Sequence, residues 1–252
     1  MAKRKKPRRL KLKSWCSARF SCDDLPFLTI GLSLLECNAF QTLKASSRIM
    51  YLLMALLCRG SAEFEFSRSV EERYFSKSHE TAETSKKRLL DKGFISVTEK
   101  RAFKSTVYVF SDCWKTPPGD EPVTTPRKIS ADLTAQKWTS IYDDGKEEKI
   151  MQVGKSLFEC DQFQDLSFQA RMVYLSMAME AGASIRFMFA PAVAKKYGFS
   201  KSTLHDAVRE LERENFIERD EDDPLRPGAY RFCLRWKREA SIGGKPINPI
   251  RV

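Results

Sequence analysis

Residues 197–217 read YGFSKSTLHDAVRELERENFI. Leu204, Val208 and Leu211 stand at i, i+4 and i+7, which lines three apolar side chains along one stripe of a helix. Ser200 sits where an N-cap belongs, and Gly198 permits the sharp turn by which a preceding helix crosses this one closely. That preceding helix is signalled by PAVAKKYG, with Pro191 in its first turn and Gly198 at its end. Further out, FQARMVYLSMAMEAG puts Phe168, Met172, Leu175 and Met179 near one stripe, with Val173 and Met177 beside it and Gly182 as C-cap. Between the two helices SIRFMFAP alternates as a short strand around Ile185, Phe187 and Phe189. Downstream, FIERDEDDPLRPGAYRFCLRW is two extended segments around a Pro/Gly/Asp loop, the pattern of a hairpin.

The same pattern occurs earlier in the chain. Residues 31–55, GLSLLECNAFQTLKASSRIMYLLMA, align without gaps with residues 154–178, GKSLFECDQFQDLSFQARMVYLSMA, at an offset of 123 and with 13 of 25 positions identical. The offset also matches Trp15 with Trp138, Phe64 with Phe187, Phe66 with Phe189, Val70 with Val193 and Tyr74 with Tyr197. After Tyr74 the first copy has one extra residue, and an offset of 122 then matches Leu89 with Leu211, Tyr108 with Tyr230, Phe110 with Phe232 and Trp114 with Trp236. A repeat of about a hundred residues is a duplicated domain rather than a solenoid unit. In the first copy SRIMYLLMALLCRG is the first helix, EFEF the strand, SRSVEERYF the second helix, and SHETAETSKKRLLDKG the third, with Ser78 as N-cap; FISVTEKRAFKSTVYVFSD is the hairpin. Helix, strand, helix, turn, helix, hairpin is the element order of a winged helix-turn-helix. The expected fold is therefore α+β, mainly α, with two tandem winged helix-turn-helix domains.

Five segments follow from this reading: a basic arm at 1–14, the first domain at 15–115, a linker at 116–137, the second domain at 138–237 and a tail at 238–252. Pro117, Pro118, Pro122 and Pro126 interrupt regular structure in the linker, and SADLTAQKW after them reads as a short helix. An apolar content of 42% with 11% aromatics fits globular packing. No apolar run approaches the ~20 residues of a membrane span, and the N-terminus lacks the apolar core of a secretory signal. A soluble, cytoplasmic protein with no membrane partner is expected.

Catalysis is hard to assemble from this composition. The seven cysteines form no CxxC pair and lie at no zinc-ligand spacing, so reduced, mostly buried thiols are expected and a metal is not. His79 and His205 are the sole histidines, and no glycine-rich phosphate loop, GxSxG or HExxH is present. No enzyme activity, cofactor or metal is expected.

Charge points elsewhere. Of the net +11, residues 1–14 contribute eight Lys/Arg and no acid. Residues 15–115 come to +3, whereas residues 138–237 come to −2. A run such as KRKKPRRLKLK is too charged to pack and reads either as a solubilising tail or as a phosphate-binding arm. The second reading gains weight from a resemblance. FxxLxxxARxVYLxM, followed by YGFSKSTLHDAVRELERENFI, resembles the winged helix-turn-helix modules of plasmid, phage and integrative-element proteins of bacteria. The tandem layout is similar to that of plasmid replication initiators. The resemblance spans Trp15–Trp114 and Trp138–Trp236, and implies double-stranded DNA as partner, nucleoid or plasmid association, and a role in replication initiation or transcription.

A recognition helix presents polar or basic side chains of its N-terminal half to base edges in the major groove. In the second copy those positions are Lys201, Ser202, Thr203, His205 and Arg209, with Asp206 among them; in the first they are His79, Glu80, Thr81, Glu83, Thr84 and Lys87, with Lys86 and Arg88 adding charge. The plainer alternative is a solvated polar helix face. The first hairpin tip carries Lys100, Arg101 and Lys104, suited to phosphate, and the arm carries Lys3, Arg4, Lys5, Lys6, Arg8 and Arg9. The second hairpin loop reads ERDEDDPLRPG, and Asp220, Glu221, Asp222 and Asp223 would repel phosphate, opposed only by Arg219 and Arg226. Two readings of the second copy stay open: it binds DNA with its wing turned away, or it serves dimerisation or a replication or transfer partner. An adaptor function for the whole protein is the alternative to DNA binding.

Overall fold

The structure is a computed structural model that describes residues 12–19, 26–59, 61–75, 79–99, 106–115, 138–141, 149–220, 228–238, 241–242 and 245–246. The fold is α+β and mainly helical, with small antiparallel sheets. In chain order the first half contains β1 (Phe27–Gly31), α1 (Leu32–Glu36), α2 (Asn38–Gln41), α3 (Ala45–Leu57), β2 (Glu63–Glu65), α4 (Arg68–Tyr74), α5 (His79–Asp91), β3 (Ile95–Glu99) and β4 (Val107–Phe110). The second half contains β5 (Ile150–Gly154), α6 (Lys155–Glu159), α7 (Asp161–Asp165), α8 (Phe168–Ala181), β6 (Arg186–Met188), α9 (Pro191–Lys196), α10 (Lys201–Arg213), β7 (Ile217–Arg219) and β8 (Ala229–Phe232). A two-residue hairpin pair, β9 (Ser241–Ile242) and β10 (Lys245–Pro246), follows in the tail. No helix among the described residues is long and apolar enough to cross a membrane.

Several local signals act as their chemistry dictates. Pro191 opens α9, and Gly182 closes α8 with φ of +57°. The Ser200 side chain accepts from the Thr203 N–H, which satisfies one of the free donors at the start of α10. The Ser78 N-cap of α5 and the SADLTAQ part of the expected linker helix lie outside the described residues. Each half carries a three-stranded sheet in which the last strand is central: the orders are β2-β4-β3 and β6-β8-β7. The segment that reads as a lone short strand in each copy is thus the third strand of the hairpin sheet, with Phe187 paired with Tyr230 and Phe64 with Tyr108. Ile185 departs from the expected alternation: it is 46% exposed, outside β6, while Phe187 and Phe189 point inward.

The two long helices α3 and α8 are more deeply buried than a single apolar stripe would make them. Ser47 to Leu56 and Ala170 to Met179 are buried without a break. A helix covered on every side needs neighbours on every side. Here α3 packs on α5 in its own half and on α8 of the other, and α8 packs on α10.

Arg48 and Arg171, matched by the repeat, are buried in this junction and bond to carbonyl oxygens rather than carboxylates. Arg48 Nε donates to Leu43 O at 3.0 Å and its Nη2 to Gln41 O; Arg171 Nε donates to Leu166 O at 3.0 Å and its Nη2 to Gln164 O. Burial pulls both guanidinium groups down to about 10, still protonated at neutral pH. Each thereby holds a positive charge against the carbonyls at the end of a short helix.

The domain boundaries drawn from sequence need correction at their N-terminal edges. Trp15, assigned to the first domain, stacks on Phe232 of the second half at 5.0 Å; Trp138, assigned to the second, stacks on Phe110 of the first at 5.1 Å. The Tyr174 hydroxyl donates to Trp15 O at 2.7 Å, and the Tyr51 hydroxyl to Trp138 O at 2.6 Å. Ser17 and Ser156 hydroxyls meet at 3.2 Å, as do those of Ser140 and Ser33. Each half therefore receives its N-terminal strap from the other. The basic arm must also end earlier than residue 14, because Leu12 is buried and Ser14–Cys16 forms a 3-10 turn.

Between the straps β1 and β5 pair antiparallel, Phe27 with Gly154, Thr29 with Gln152 and Gly31 with Ile150. The sequence reading assigns neither strand. Each is five residues long and finds its partner about half a chain away, so no local pattern points to the pairing.

Candidate nucleic-acid interface

The α10 face forms as the spacing demands. Leu204, Ala207, Val208 and Leu211 are buried against α8, and Lys201, Ser202, His205, Asp206 and Arg209 are exposed, with Thr203 half-buried. Glu210 is turned toward its own half, where its carboxylate accepts from Ser167 N and Ser167 Oγ, both at 2.6 Å. Asp206, Arg209, Glu210 and Arg213 line an open groove along this helix.

The α5 face is less uniform. Thr84 and Lys87 are exposed and Thr81 is half-buried. The His79 backbone lies in the first turn of the helix. Lys86 does not face outward: it is 8% exposed, and its Nζ donates to Glu71 Oε1 at 2.6 Å and to Glu83 Oε1 at 2.7 Å. The repeat alignment carried the signal, since at an offset of 122 Lys86 occupies the place of the buried Val208 and, at 123, Glu71 that of the buried Ala194. One copy fills this spot with an ion pair where the other uses apolar side chains. Arg88, matched to Glu210, is half-buried, and its Nη1 is enclosed without a hydrogen-bond partner, so that end of the guanidinium is shut off from solvent.

The turn into α10 depends on Gly198. Its φ is +75°, and a Cβ there would lie 2.9 Å from Gln41 Oε1 of the other half. At the same place Gln41 Nε2 donates to Lys196 O at 2.5 Å and Arg48 Nη1 to Tyr197 O at 3.3 Å, which closes the junction. The matched side of the junction is open. Gln164 and Arg171 bond within their own half there, leaving a cleft of about 250 Å³ lined by Tyr74, Phe75 and Thr81 from one half and Phe168, Arg171 and Glu210 from the other. Phe75 and Phe168 stack across it at 5.3 Å, and Tyr74 donates to Glu159 Oε1 at 3.1 Å.

The hairpin of the second half uses its basic residues internally. Arg219 Nε lies 2.9 Å from Glu212, Arg231 Nε 2.6 Å and Arg235 Nη2 2.9 Å from Glu218, and Arg186 Nη1 3.7 Å from Asp220. Glu221, Asp222, Asp223 and Arg226 lie outside the described residues. So do Lys100, Arg101 and Lys104 of the first hairpin, and Lys3, Arg4, Lys5, Lys6, Arg8 and Arg9 of the arm.

Among the described residues no group of three His, Cys, Asp or Glu converges as metal ligands would. Cys16, Cys58, Cys160 and Cys233 are buried free thiols; burial pushes Cys16 up to about 12 and Cys160 up to about 11, away from the reactive thiolate form. No family model, curated protein or solved structure matches the chain.

Proposed function

We propose that each half is a winged helix-turn-helix module and that the protein is a non-enzymatic, sequence-specific binder of double-stranded DNA. It acts in replication initiation or transcriptional control of a plasmid, phage or integrative element. The observation that carries this reading is α10: a capped helix behind a glycine turn, with an exposed face of Lys201, Ser202, His205 and Arg209 and a buried face of Leu204, Val208 and Leu211. Short polar and basic side chains on the outward half of such a helix suit base edges, and the basic arm suits phosphates. The role on a mobile element rests on the resemblance of these modules.

The test uses the whole chain. Binding is selected from a random duplex library and then titrated with salt. Enrichment of a defined motif, with affinity falling steeply as salt rises, supports the reading. An absence of both sequence preference and salt dependence overturns it.

A second reading, a protein-interaction adaptor whose second half docks a partner or a second copy, is favoured by one observation. Arg219, Arg231 and Arg235 of the second hairpin are engaged by Glu212 and Glu218, which leaves less positive charge there for phosphate. Under this reading Arg209→Ala in the intact protein leaves DNA preference unchanged.

A further inference from the structure

Tandem domains on a linker can address DNA in two ways. Related by a translation along the duplex, they read direct repeats; related by a half-turn, they read inverted ones. The contacts between the halves decide which relation holds here.

In the β1–β5 ladder, Phe27 pairs with Gly154 and Gly31 with Ile150. Under the repeat offset of 123, Phe27 is equivalent to Ile150 and Gly31 to Gly154, so the two pairs are one contact made twice. The central pair, Thr29 with Gln152, joins equivalent residues and marks the axis itself. The strap contacts obey the same rule: Tyr51 to Trp138 O answers Tyr174 to Trp15 O, and Lys155 N to Pro26 O at 3.0 Å answers Leu32 N to Lys149 O at 2.9 Å. When a contacts b′ and b contacts a′, the operator is a two-fold rotation, and a head-to-tail arrangement cannot produce it. The half-turn is also rigidly held, because a ladder, two exchanged straps and the packing of α3 on α8 all cross the junction.

We propose that the DNA target consists of two inverted half-sites at one fixed spacing, with the target's dyad on the axis through Thr29 and Gln152. This rests on the DNA-binding reading above. The inversion is hidden in the natural target, because the two helices present different side chains: Thr84 and Lys87 on α5 stand where α10 has Asp206 and Arg209. Each half-site consequently has its own base sequence, and a direct or an inverted order of unlike half-sites looks the same in the target's bare sequence.

Making the readers alike exposes the order. Lys201→His, Ser202→Glu, His205→Glu, Asp206→Thr and Arg209→Lys, combined in the whole chain, give α10 the residues that α5 carries at the positions matched by the repeat; Thr203 already matches Thr81. All five positions are exposed, so the variant is expected to retain its circular dichroism and melting temperature. Selection from a random duplex library should then return a perfect inverted repeat of one half-site. A direct repeat, or a single half-site, overturns the proposal while leaving sequence-specific binding intact. Hydroxyl-radical footprinting of the unaltered protein on its own selected site is the independent arm. Protections on the two strands related by a dyad support the proposal, and protections repeated by translation overturn it even if the variant fails to fold. If the unaltered protein enriches no motif, the DNA-binding reading falls, and this proposal with it.

Discussion

The Tyr174 hydroxyl donates to the Trp15 carbonyl across 159 positions of sequence, and both groups are buried. Tyr51 makes the matched bond to Trp138. Removing such a hydroxyl leaves a buried carbonyl without its donor, which costs about 1–3 kcal/mol. Tyr174→Phe and Tyr51→Phe should each lower the urea midpoint by an amount in this range without changing the slope. A change indistinguishable from zero in both variants would mean that the straps are not bound in solution as described.

Exchanged straps make each half depend on the other. A fragment of residues 138–237 lacks Trp15 and β1, which exposes the Phe232 face and unpairs β5. Alone it should show no sharp near-ultraviolet signal and no cooperative melt. Mixed with a fragment of residues 1–115 it should regain both. A 138–237 fragment that melts like the intact protein would contradict the reciprocal packing.

Alkaline titration reads the same two tyrosines. Burial, the first cause for both, raises the Tyr51 and Tyr174 phenols well above their usual 10. In the unfolded chain they lose protons near 10, while in the folded protein they keep them. The unfolded state therefore binds fewer protons, and stability present below pH 10 is lost as pH rises. The slope is up to ~1.4 kcal/mol per pH unit for each tyrosine. Between pH 10 and 12 the midpoint of urea unfolding should fall for the intact protein and fall less steeply for the Tyr51→Phe, Tyr174→Phe double variant. Parallel slopes would exclude these phenols as the source.

What the sequence disclosed and what it hid divide along range. The α10 stripe, the Ser200 cap, the Pro191 start and the Gly182 end are local patterns, and the structure realises each. The repeat itself was legible because identity at a constant offset needs no structural knowledge. The junction was not legible: β1 and β5 pair across more than a hundred residues, and each strap packs on the half other than its own, so no local pattern points to either. One clue did exist. MVYLSMAM in α8 and IMYLLMALL in α3 are apolar on nearly every face, which a helix with one buried side does not require. On the proposed interface, Lys86 is misread when charge is weighed before register.

The Lys86–Glu71 pair gives a stability test with opposite signs. Lys86→Ala leaves the Glu71 carboxylate, 4% exposed, without its cation, and removing one member of a buried pair costs about 3–5 kcal/mol. Replacing both by the residues that the second half uses at these places, Glu71→Ala with Lys86→Val, removes both desolvation penalties. The double variant should melt within a few degrees of the unaltered protein or above it. If it is as unstable as Lys86→Ala alone, the second half's solution does not transfer.

Phosphate contacts and base contacts predict different losses in the binding assay. Deleting residues 1–11 removes seven of the basic residues and spares Leu12, which is buried against the body. Affinity should fall alike for the selected site and for unrelated duplex, and the salt slope should decrease by ~0.9 for each phosphate that the arm no longer neutralises. Arg209→Ala on α10 and Lys87→Ala on α5 act on exposed helix positions instead. Each should cost about 1–3 kcal/mol on the selected site and relax preference at particular base pairs, with little effect on unrelated duplex. Because α5 and α10 belong to different halves, the two substitutions should relax different half-sites. Uniform weakening by Arg209→Ala across all sequences would assign that side chain to the backbone, and no effect at all would take α10 out of the interface.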